Sequence, residues 1–591
     1  MTAPGVGTGG PAQHRVDALE HAFGPLDAPD NPCGAAALLE ADAACATLPA
    51  AEHVLDAQDF NAEFVPVELG GRLDRMDVLG RVLRPVFRRD ASLGFGYGLN
   101  CFFAAAPVWT AGDGRQRRQV ARTLLEGRRV AVARHGVAHG NDFVRDEFTV
   151  AALPDGRLLL DGEKTGMANA ARAASLVIFA RDVGAAGGGG DGRGHTVLLV
   201  DRDALPADRV VDLGRRTTTG MRSAEFGGLR VTECPVPREA VVGAPGGGYE
   251  LSLRSSLVIR GLIPSIVLAG ADTALRTAAA FADRPRADGR SSLDVQHVRD
   301  VLTGAFLDLL LIDCLALVAT RALHLLPGQV SAYAATAAYL APKLAAECMD
   351  EMSAVLGEAS FAGDGAYGMF EKQLRDLPVT SMGHAGSAGR QVSILPQLPF
   401  FARYSWFADA EPPADLFRPD LGLPPLDLSR PSLLGDGDPL AATLLALTDE
   451  LESAGPPSPA GDTGLLRFLT RAFAGELDSL RKSFRDTPIG DRQALASPHC
   501  MALADRYSVV LAAASCLGVW RQQLAAAAAE EAADPFLADP AWVSAALYRL
   551  CRRLGLPLPD RPVTAEERVL AEVLRRLRGG RGYDLYGSRL A

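Results

Sequence analysis

The sequence predicts an α+β protein with an N-terminal helical domain, a central antiparallel β-barrel domain, a four-helix bundle and an extra C-terminal helical domain. Apolar residues recur at helical spacing from residue 51 to residue 126, strand-like segments with glycine-rich connections follow from residue 130, and long helical patterns return at Tyr249. We place the boundaries at 1–128 for the N-terminal helical domain, 129–245 for the β domain, 246–404 for the helical bundle, 405–440 for a proline-rich linker and 441–591 for the C-terminal helical domain.

Short strands and turns define the β domain. Residues 148–152 and 158–162 flank a Pro-Asp-Gly turn, which predicts a hairpin. Further strands are expected at 175–180, 195–200 and 228–231. Several strands at this spacing indicate a small antiparallel barrel.

Long periodic apolar stretches predict the bundle. The most apolar of them, residues 301–326, carries two aspartates and an arginine, so we expect a buried helix and no membrane span. Residues 405–440 are rich in proline and aspartate and are expected to be an extended linker on the surface. The candidate bundle helices are 251–281, 296–325, 330–356 and 369–374.

Composition excludes several functions. The net charge is −11, and only four of the 60 basic residues are lysines, a bias typical of a high-GC bacterial genome. An acidic chain without a basic stripe is a poor nucleic-acid binder. The nine cysteines are scattered and no export signal is recognised, so we expect reduced thiols and a cytoplasmic protein. His135 and His139 are four residues apart but lack a third ligand, so no metal is expected.

One stretch, EKQLRDLPVTSMGHAGSAGR at residues 371–390, stands out for its chemistry. It begins as the end of a charged helix and continues after Arg375 and Asp376 into a predicted loop of small residues, 383–389. Such a loop lets the backbone approach a large flat ligand. Its single titratable residue, His384, is either a candidate catalytic group or an incidental histidine in a surface turn.

Five motifs in order resemble those of acyl-CoA dehydrogenases. PVELGG is similar to the P-x-ELGG motif of that family, and the other motifs follow at matching intervals across about residues 50–395. The chain resembles a long, C-terminally extended bacterial member. The motifs are PVELGG at 66–71, RRDASLG at 88–94, HGVAHGND at 135–142, DGEKTGMAN at 161–169 and CPVPREAVVG at 234–243.

The resemblance implies FAD between the β domain and the bundle, with part of the cofactor held by a neighbouring subunit of a homodimer. It also implies an acyl substrate, small or carrier-bound, contacted by Arg260. The cofactor-binding residues that it implies are Val132, Arg134 and His135 beside the flavin, Gly140 and Asn141 at the pyrophosphate, Gly166, Met167 and Ala168 on the isoalloxazine, Arg284, Gln296 and Gly357 toward the partner's FAD, and Gly386 and Ser387 in the loop of His384.

The departures from the family pattern concern the chemistry. The family's catalytic glutamate corresponds to His384 when counted from Arg375, or to Ala385 when aligned by glycine, and its alternative position is Ile259. None is a carboxylate, although removing an α-proton requires a positioned base. The family's Trp-Ile-Thr segment is also replaced, by Gly-Met-Ala at residues 166–168.

Three functions therefore remain open. The first is a flavin-dependent desaturase of an unusual acyl thioester or of a carrier-bound or peptidyl acid in bacterial secondary metabolism. There His384 would be the base, or decarboxylation would lessen the need for one. The second is a flavin monooxygenase on the same fold, oxygenating through a C4a-flavin adduct. The third is a binding protein that has lost the chemistry.

Overall fold

The computed structural model describes residues 10–134, 147–183, 194–285, 289–382, 386–453 and 462–591. The N-terminal part is helical, as expected. Its fourth helix is buried along almost its whole length. Three arginines of this helix, Arg84, Arg88 and Arg89, are buried as well. A π-helical turn at Gly94–Leu99 leads into the sixth helix. The helices are α1 Pro11–Phe23, α2 Ala35–Ala43, α3 Pro49–Ala57, α4 Met76–Arg89, α5 Ala91–Leu93, α6 Asn100–Ala111 and α7 Gly114–Leu125.

The central part is one sheet with the strand order β6-β7-β3-β2-β4-β5-β8, and β1 pairs with β4. The predicted hairpin is confirmed, because Ala152 pairs with Leu158 in antiparallel register. The strands are β1 Arg129–Ala133, β2 Thr149–Ala152, β3 Leu158–Ala168, β4 Ala173–Asp182, β5 His195–Asp201, β6 Val210–Asp212, β7 Phe226–Val236 and β8 Val241–Val242.

The expectation of a purely antiparallel domain is wrong in one respect, because the sheet is mixed. Both β1 and β2 run parallel to β4. Parallel neighbours need a long connection, and the β2–β3 hairpin forms part of the connection between β1 and β4. The spacing of apolar residues indicates that a segment is a strand, but it does not indicate whether the neighbouring strand runs parallel or antiparallel to it.

The sheet has two apolar faces. Along β1, Ala131 and Ala133 point into the core of the β domain, whereas Val130 and Val132 pack with the helices. β4 and β5 divide their side chains in the same way. One face of the sheet is thus held against helices, and this junction carries the candidate site described below.

The bundle is formed by α8 Gly248–Asp283, α9 Gln296–Leu325, α10 Val330–Leu356 and α11 Gly365–Met382, followed by α12 Gly386–Ile394 and α13 Leu398–Tyr404. The predicted limits of α9 and α10 are confirmed. Two expectations need correction: α11 is much longer than 369–374, and residues 386–389 of the predicted loop begin a helix. α12 packs on α10, a tertiary contact that outweighs the low helix propensity of its glycines.

The C-terminal helices cover the bundle. α8, α9 and α17 are long and apolar enough to cross a membrane, but their most apolar windows are 100%, 100% and 72% buried inside the protein. Ion pairs tie the two layers together, such as Asp308 to Arg549 at 2.6 Å and Asp283 to Arg578 at 2.8 Å. The helices are α14 Pro439–Ser453, α15 Asp462–Arg485, α16 Arg492–Leu495, α17 Pro498–Ala528, α18 Pro535–Ala538, α19 Pro540–Leu554 and α20 Val563–Arg578.

The segment 405–440 is not simply laid over the surface. Leu416 and Phe417 are buried, and the Phe417 ring lies so close to Gly518 of α17 that a Cβ there would come within 2.3 Å of it. Asp438 is also buried and accepts hydrogen bonds from Trp406 at 2.9 Å and Tyr507 at 2.9 Å. Leu416 and Phe417, which lie between the prolines of this segment, are therefore packed in the interior of the protein, with Phe417 against α17.

A buried ion cluster joins both ends of the chain to the bundle. Arg88 of α4 contacts Glu20 at 2.7 Å and Asp272 of α8 at 2.9 Å. Asp584, near the C-terminus, lies 3.7 Å from Arg88 and 3.6 Å from Arg84. Burial alone would raise the pKa of Asp584, but the two guanidinium groups and the backbone N–H of Ser588 lower it to about 2.

We predict that Asp584→Asn destabilises the protein by about 2 to 3 kcal/mol at pH 7, the value of a carboxyl pKa lowered from about 3.9 to about 2. A lowered pKa contributes stability that is present above about pH 4 and is lost as the pH falls toward 2. Calorimetric melting should therefore show a wild-type advantage at pH 7 that narrows at pH 3. Asp155→Asn, which removes an exposed carboxylate beside Arg157, should leave the melting temperature unchanged. An equal effect of the two substitutions would contradict the prediction.

Candidate functional site

The end of β1 lies against the first turns of α8. Arg134, which follows β1, donates a hydrogen bond to the Ser256 hydroxyl at 2.8 Å. Lys164 of β3 is buried and donates from Nζ to the Arg134 carbonyl at 3.0 Å. Val132 packs toward the helices on the same face of the sheet. Two predicted site residues, Val132 and Arg134, thus lie together at the junction between sheet and bundle, and Lys164 holds the strand end in place.

The last residues of β3 form a wall of small groups. Gly166 has a φ of +81°, a left-handed backbone that strongly favours glycine. The Met167 side chain packs in the core of the β domain, and its predicted place on the isoalloxazine face stays a prediction. The carbonyl of Ala168 accepts a hydrogen bond from Asn100 of α6 at 3.2 Å. This leaves Gly166 and Ala168 as the candidates for close approach to a ligand.

Two further arginines meet Arg134 at this junction. Arg260, one turn after Ser256 on α8, donates to the Ser393 hydroxyl of α12 at 3.0 Å. Arg390 lies about one turn before Ser393 on α12 and is fully buried. Arg390 was missed by the sequence analysis, although it is the last residue of the stretch that ends in the predicted loop.

The pKa of each of these three guanidinium groups is lowered. Burial is the main cause, and it brings the pKa of Arg260 down to about 10. Burial and the charge of Arg260 bring the pKa of Arg134 to about 9. Burial, Arg260 and Arg134 together bring the pKa of Arg390 to about 9. All three remain protonated at neutral pH, so the junction concentrates positive charge.

A buried lysine holds the helix that leads to His384. Lys372 of α11 contacts Asp90 at 2.7 Å and Asp376 at 2.6 Å. Asp376 also accepts a hydrogen bond from the backbone N–H of Met221 at 2.5 Å. The group therefore joins the RRDASLG motif, the end of α11 and the chain before β7. Opposite charges on both sides raise the pKa of Lys372, although burial lowers it. Lys372 was also missed, because a lone lysine in a helix carries no local signal.

Three predicted cofactor residues lie at the other end of the bundle. Arg284 follows α8 and is 24 residues beyond Arg260, which corresponds to about 36 Å along a helix. Gln296 begins α9 and Gly357 follows α10, so the antiparallel helices bring all three to one exposed end. Arg284 donates to the Tyr367 hydroxyl at 3.3 Å. The structure does not bring these residues together with Arg134 and Arg260 within one chain.

The remaining predicted residues are only partly described. His135, Gly140, Asn141 and the proposed base His384 lie outside the described residues. Gly386 and Ser387 form the start of α12. Their roles stay predictions.

One cavity of about 500 Å³ lies elsewhere, in the N-terminal helical domain. Asp56, Asp59 and Tyr97 are among the residues that line it, and none of the predicted site residues does. The cavity opens to solvent and lies away from the sheet–bundle junction, which argues against it as the place where a substrate reacts.

Comparison with known proteins supports the sequence interpretation. Residues 246–397 match the family model for the C-terminal domain of acyl-CoA dehydrogenases. Human mitochondrial short-chain specific acyl-CoA dehydrogenase is 25% identical over 237 residues, which are 40% of this chain and 55% of the human protein. The match thus spans about half the length of that curated relative.

Solved structures extend the likeness in fold. An acyl-CoA dehydrogenase from Bacillus anthracis, complexed with FAD, superposes with a TM-score of 0.67 at 14% identity and covers 97% of this chain and 96% of its own. A prolyl acyl carrier protein oxidase superposes with a TM-score of 0.54 at 19% identity, covering 65% of this chain and 97% of its own. The first likeness includes the C-terminal helices, so they too have a counterpart.

We predict that Lys372→Met destabilises the protein by about 3 kcal/mol or more, because two buried carboxylates lose their shared cation. Burial already raises the pKa of Asp376 although Lys372 lowers it, so loss of Lys372 raises it further, and stability falls as the pH rises from the unfolded-state pKa to the raised one. The melting temperature should therefore drop more at pH 8 than at pH 5.

Two further variants complete the test. Adding Asp376→Asn to Lys372→Met should recover part of the loss, since one of the two buried charges is removed. Lys343→Met, which removes a half-buried lysine 2.9 Å from Asp505, should cost only about 1 kcal/mol or less. A Lys372→Met variant that melts like Lys343→Met at both pH values would refute the proposed role.

Proposed function

We propose that this chain, a member of the acyl-CoA dehydrogenase superfamily, is an FAD-dependent oxidoreductase that oxidises an acyl thioester or a carrier-bound or peptidyl acid in bacterial secondary metabolism. The observation that carries the proposal is the sheet–bundle junction. There Arg134 at the end of β1 donates a hydrogen bond to Ser256 of α8, one turn before Arg260, and Lys164 of β3, two residues before Gly166, donates one to the Arg134 carbonyl. The fold likeness to a prolyl acyl carrier protein oxidase supports a carrier-bound substrate as one option.

The residues at the junction fit a flavin. A flat ring needs a wall with little side-chain bulk, and we propose that Gly166 and Ala168 supply part of it. The cofactor also carries polar edges and anionic phosphates. The Ser252 hydroxyl of α8 is buried without a hydrogen-bond partner among the described residues, and Ser256 and Arg134 lie one turn further on. A buried polar atom in that state is suited to a ligand's polar edge.

Bound FAD would accept the hydride that the substrate loses. The chain's own residues would do the rest. Lys164 and Ser256 fix the position of Arg134, and Lys372 fixes α11 and with it the approach of the chain to His384. We propose His384 as the group that takes the α-proton, since the acidic base of the family is absent from positions 259, 384 and 385.

The assembly is proposed to be a cytoplasmic homodimer. Arg284, Gln296 and Gly357 lie at an exposed bundle end, about 36 Å along α8 from Arg260, so they would serve the cofactor of the partner subunit. The C-terminal helical domain, proposed as 441–591, packs on the bundle and would cover the surface that shorter relatives use to form tetramers.

Oxygenation remains the second candidate, favoured by the Gly-Met-Ala segment at residues 166–168. The site loses the bulk of the family's Trp-Ile-Thr segment, which leaves room beside the ring for molecular oxygen. In that case His384 would lie near the reacting carbon of the flavin instead of the substrate's α-carbon.

We expect the purified protein to be yellow and to release FAD on denaturation, in an amount equimolar with the chain. A matched pair of variants tests the location. Gly166→Leu puts a side chain on the wall at a φ of +81° and should reduce the FAD content several-fold, whereas Gly156→Leu, at a φ of +86° in the exposed hairpin turn, should not. A colourless wild-type protein that takes up no flavin would exclude both enzymatic functions.

Product masses separate the two candidate reactions. With a panel of acyl thioesters and ¹⁸O₂, dehydrogenation yields a product lighter by two hydrogen atoms, and oxygenation yields one that carries ¹⁸O. Under the proposed dehydrogenation, His384→Ala should slow turnover by about two to four orders of magnitude without lowering the FAD content. Unimpaired turnover in that variant would remove His384 as the base.

A further inference from the structure

A row of exposed arginines runs along one face of α7. Arg115, Arg118 and Arg122 are three and four residues apart, which places them on the same side of the helix, and all three are exposed. The helix carries a fourth arginine and no acidic residue, although the whole chain has a net charge of −11. We call Arg115, Arg118 and Arg122 the arginine stripe, which extends about 10 Å along the helix axis.

The packing of α7 fixes the position of the arginine stripe. Asp113 and Gln116 form a capping box at the start of the helix. The Gln116 side chain also donates hydrogen bonds to the carbonyl oxygens of Glu239 at 3.1 Å and Val241 at 2.8 Å. The side of α7 opposite the stripe is buried. A surface held in this way loses little freedom when a partner binds, which favours recognition.

No carboxylate neutralises the arginine stripe among the residues that the structure describes. Arg115 donates to the backbone carbonyl of Glu239 at 2.5 Å, and no residue of the stripe forms an ion pair with a described acidic side chain. Glu126 follows the stripe by one turn, but it is exposed and forms no ion pair with it. On α20, by contrast, the exposed Arg578 lies 2.8 Å from Asp283. The stripe is therefore a patch of positive charge on the surface of an acidic protein.

The shape and charge of the stripe indicate the kind of partner that it fits. A helix surface is convex, so it cannot enclose a small anion, and a long polyanion such as nucleic acid is repelled by the net charge of −11. An acidic helix laid along α7 would present its carboxylates over the same two turns. Three residues join α7 to β1, on which it packs, and β1 ends beside Arg134 at the sheet–bundle junction. A partner on the stripe would therefore lie next to the strand that leads to the candidate site.

We propose that the arginine stripe is the docking surface for an acidic carrier protein that bears the acyl substrate. This inference rests on the proposed oxidoreductase function and selects the carrier-bound acid from its possible substrates. A carrier presents its acyl group on a flexible phosphopantetheine arm, so the carrier itself stays on the enzyme surface while the thioester reaches the flavin. The stripe then contributes to the rate and strength of carrier binding and not to the chemical step.

A labelled carrier protein tests the docking surface directly. A fluorescent holo acyl carrier protein with an acidic helix is titrated with the flavin-loaded enzyme, and its anisotropy is measured. We expect saturable binding that weakens as the salt concentration rises. Arg118→Glu should weaken this binding about 10-fold, because repulsion replaces attraction. Arg552→Glu, at an exposed arginine of α19, changes the net charge equally and should bind the carrier like the wild type. No binding by the wild type, or equal binding by both variants, overturns the proposal.

Two further readouts separate this inference from the proposed function. Arg118→Glu should keep the FAD content and the melting temperature of the wild type, because Arg118 is exposed and pairs with no described carboxylate. If the variant weakens the binding of free coenzyme A as much as that of the carrier, the stripe recognises phosphates, and the carrier surface is refuted while the flavoenzyme stands. If the wild-type protein binds no flavin, the proposed function itself fails.

Discussion

The fold depends on meeting buried guanidinium groups with anions drawn from distant parts of the chain. A guanidinium removed from water is strongly destabilising unless a carboxylate or other anion lies beside it. Arg88 of α4 meets Glu20 of α1, Asp272 of α8 and Asp584 from the last residues of the chain. This single cluster holds the N-terminal helices, the bundle and the C-terminal tail in one arrangement.

The same principle operates closer to the candidate site with a lysine. Lys372 forms ion pairs with Asp90 and Asp376, and Asp376 also accepts a hydrogen bond from the backbone N–H of Met221. The N-terminal helices, the segment before β7 and α11 are therefore joined just before the chain reaches His384. A buried, multiply bonded support of this kind restricts side-chain motion, which positioned acid–base chemistry requires.

The Arg134, Arg260 and Arg390 group lies where the end of β1, α8 and α12 meet. Arg134 donates a hydrogen bond to Ser256 of α8, and Arg260 donates one to Ser393 of α12, so these guanidinium groups help to join the sheet to the bundle. Burial lowers the pKa of all three groups, although each stays protonated at neutral pH.

The sequence alone determined the fold class, the hairpin, the limits of α9 and α10 and the order of the motifs, because these depend on local periodicity, turn residues and short patterns. Only the tertiary structure decided the parallel pairing of β1 and β2 with β4, the helix that begins at Gly386 and the anchoring of residues 405–440. It also showed that Lys372 contacts Asp90 and Asp376 and that Arg390 is buried on α12. The physical reason is common to all of them. Apolar spacing indicates that a residue is buried, but the charge or strand that it contacts comes from another segment, 133 residues away for Arg260 and Ser393 and 282 residues away for Asp90 and Lys372.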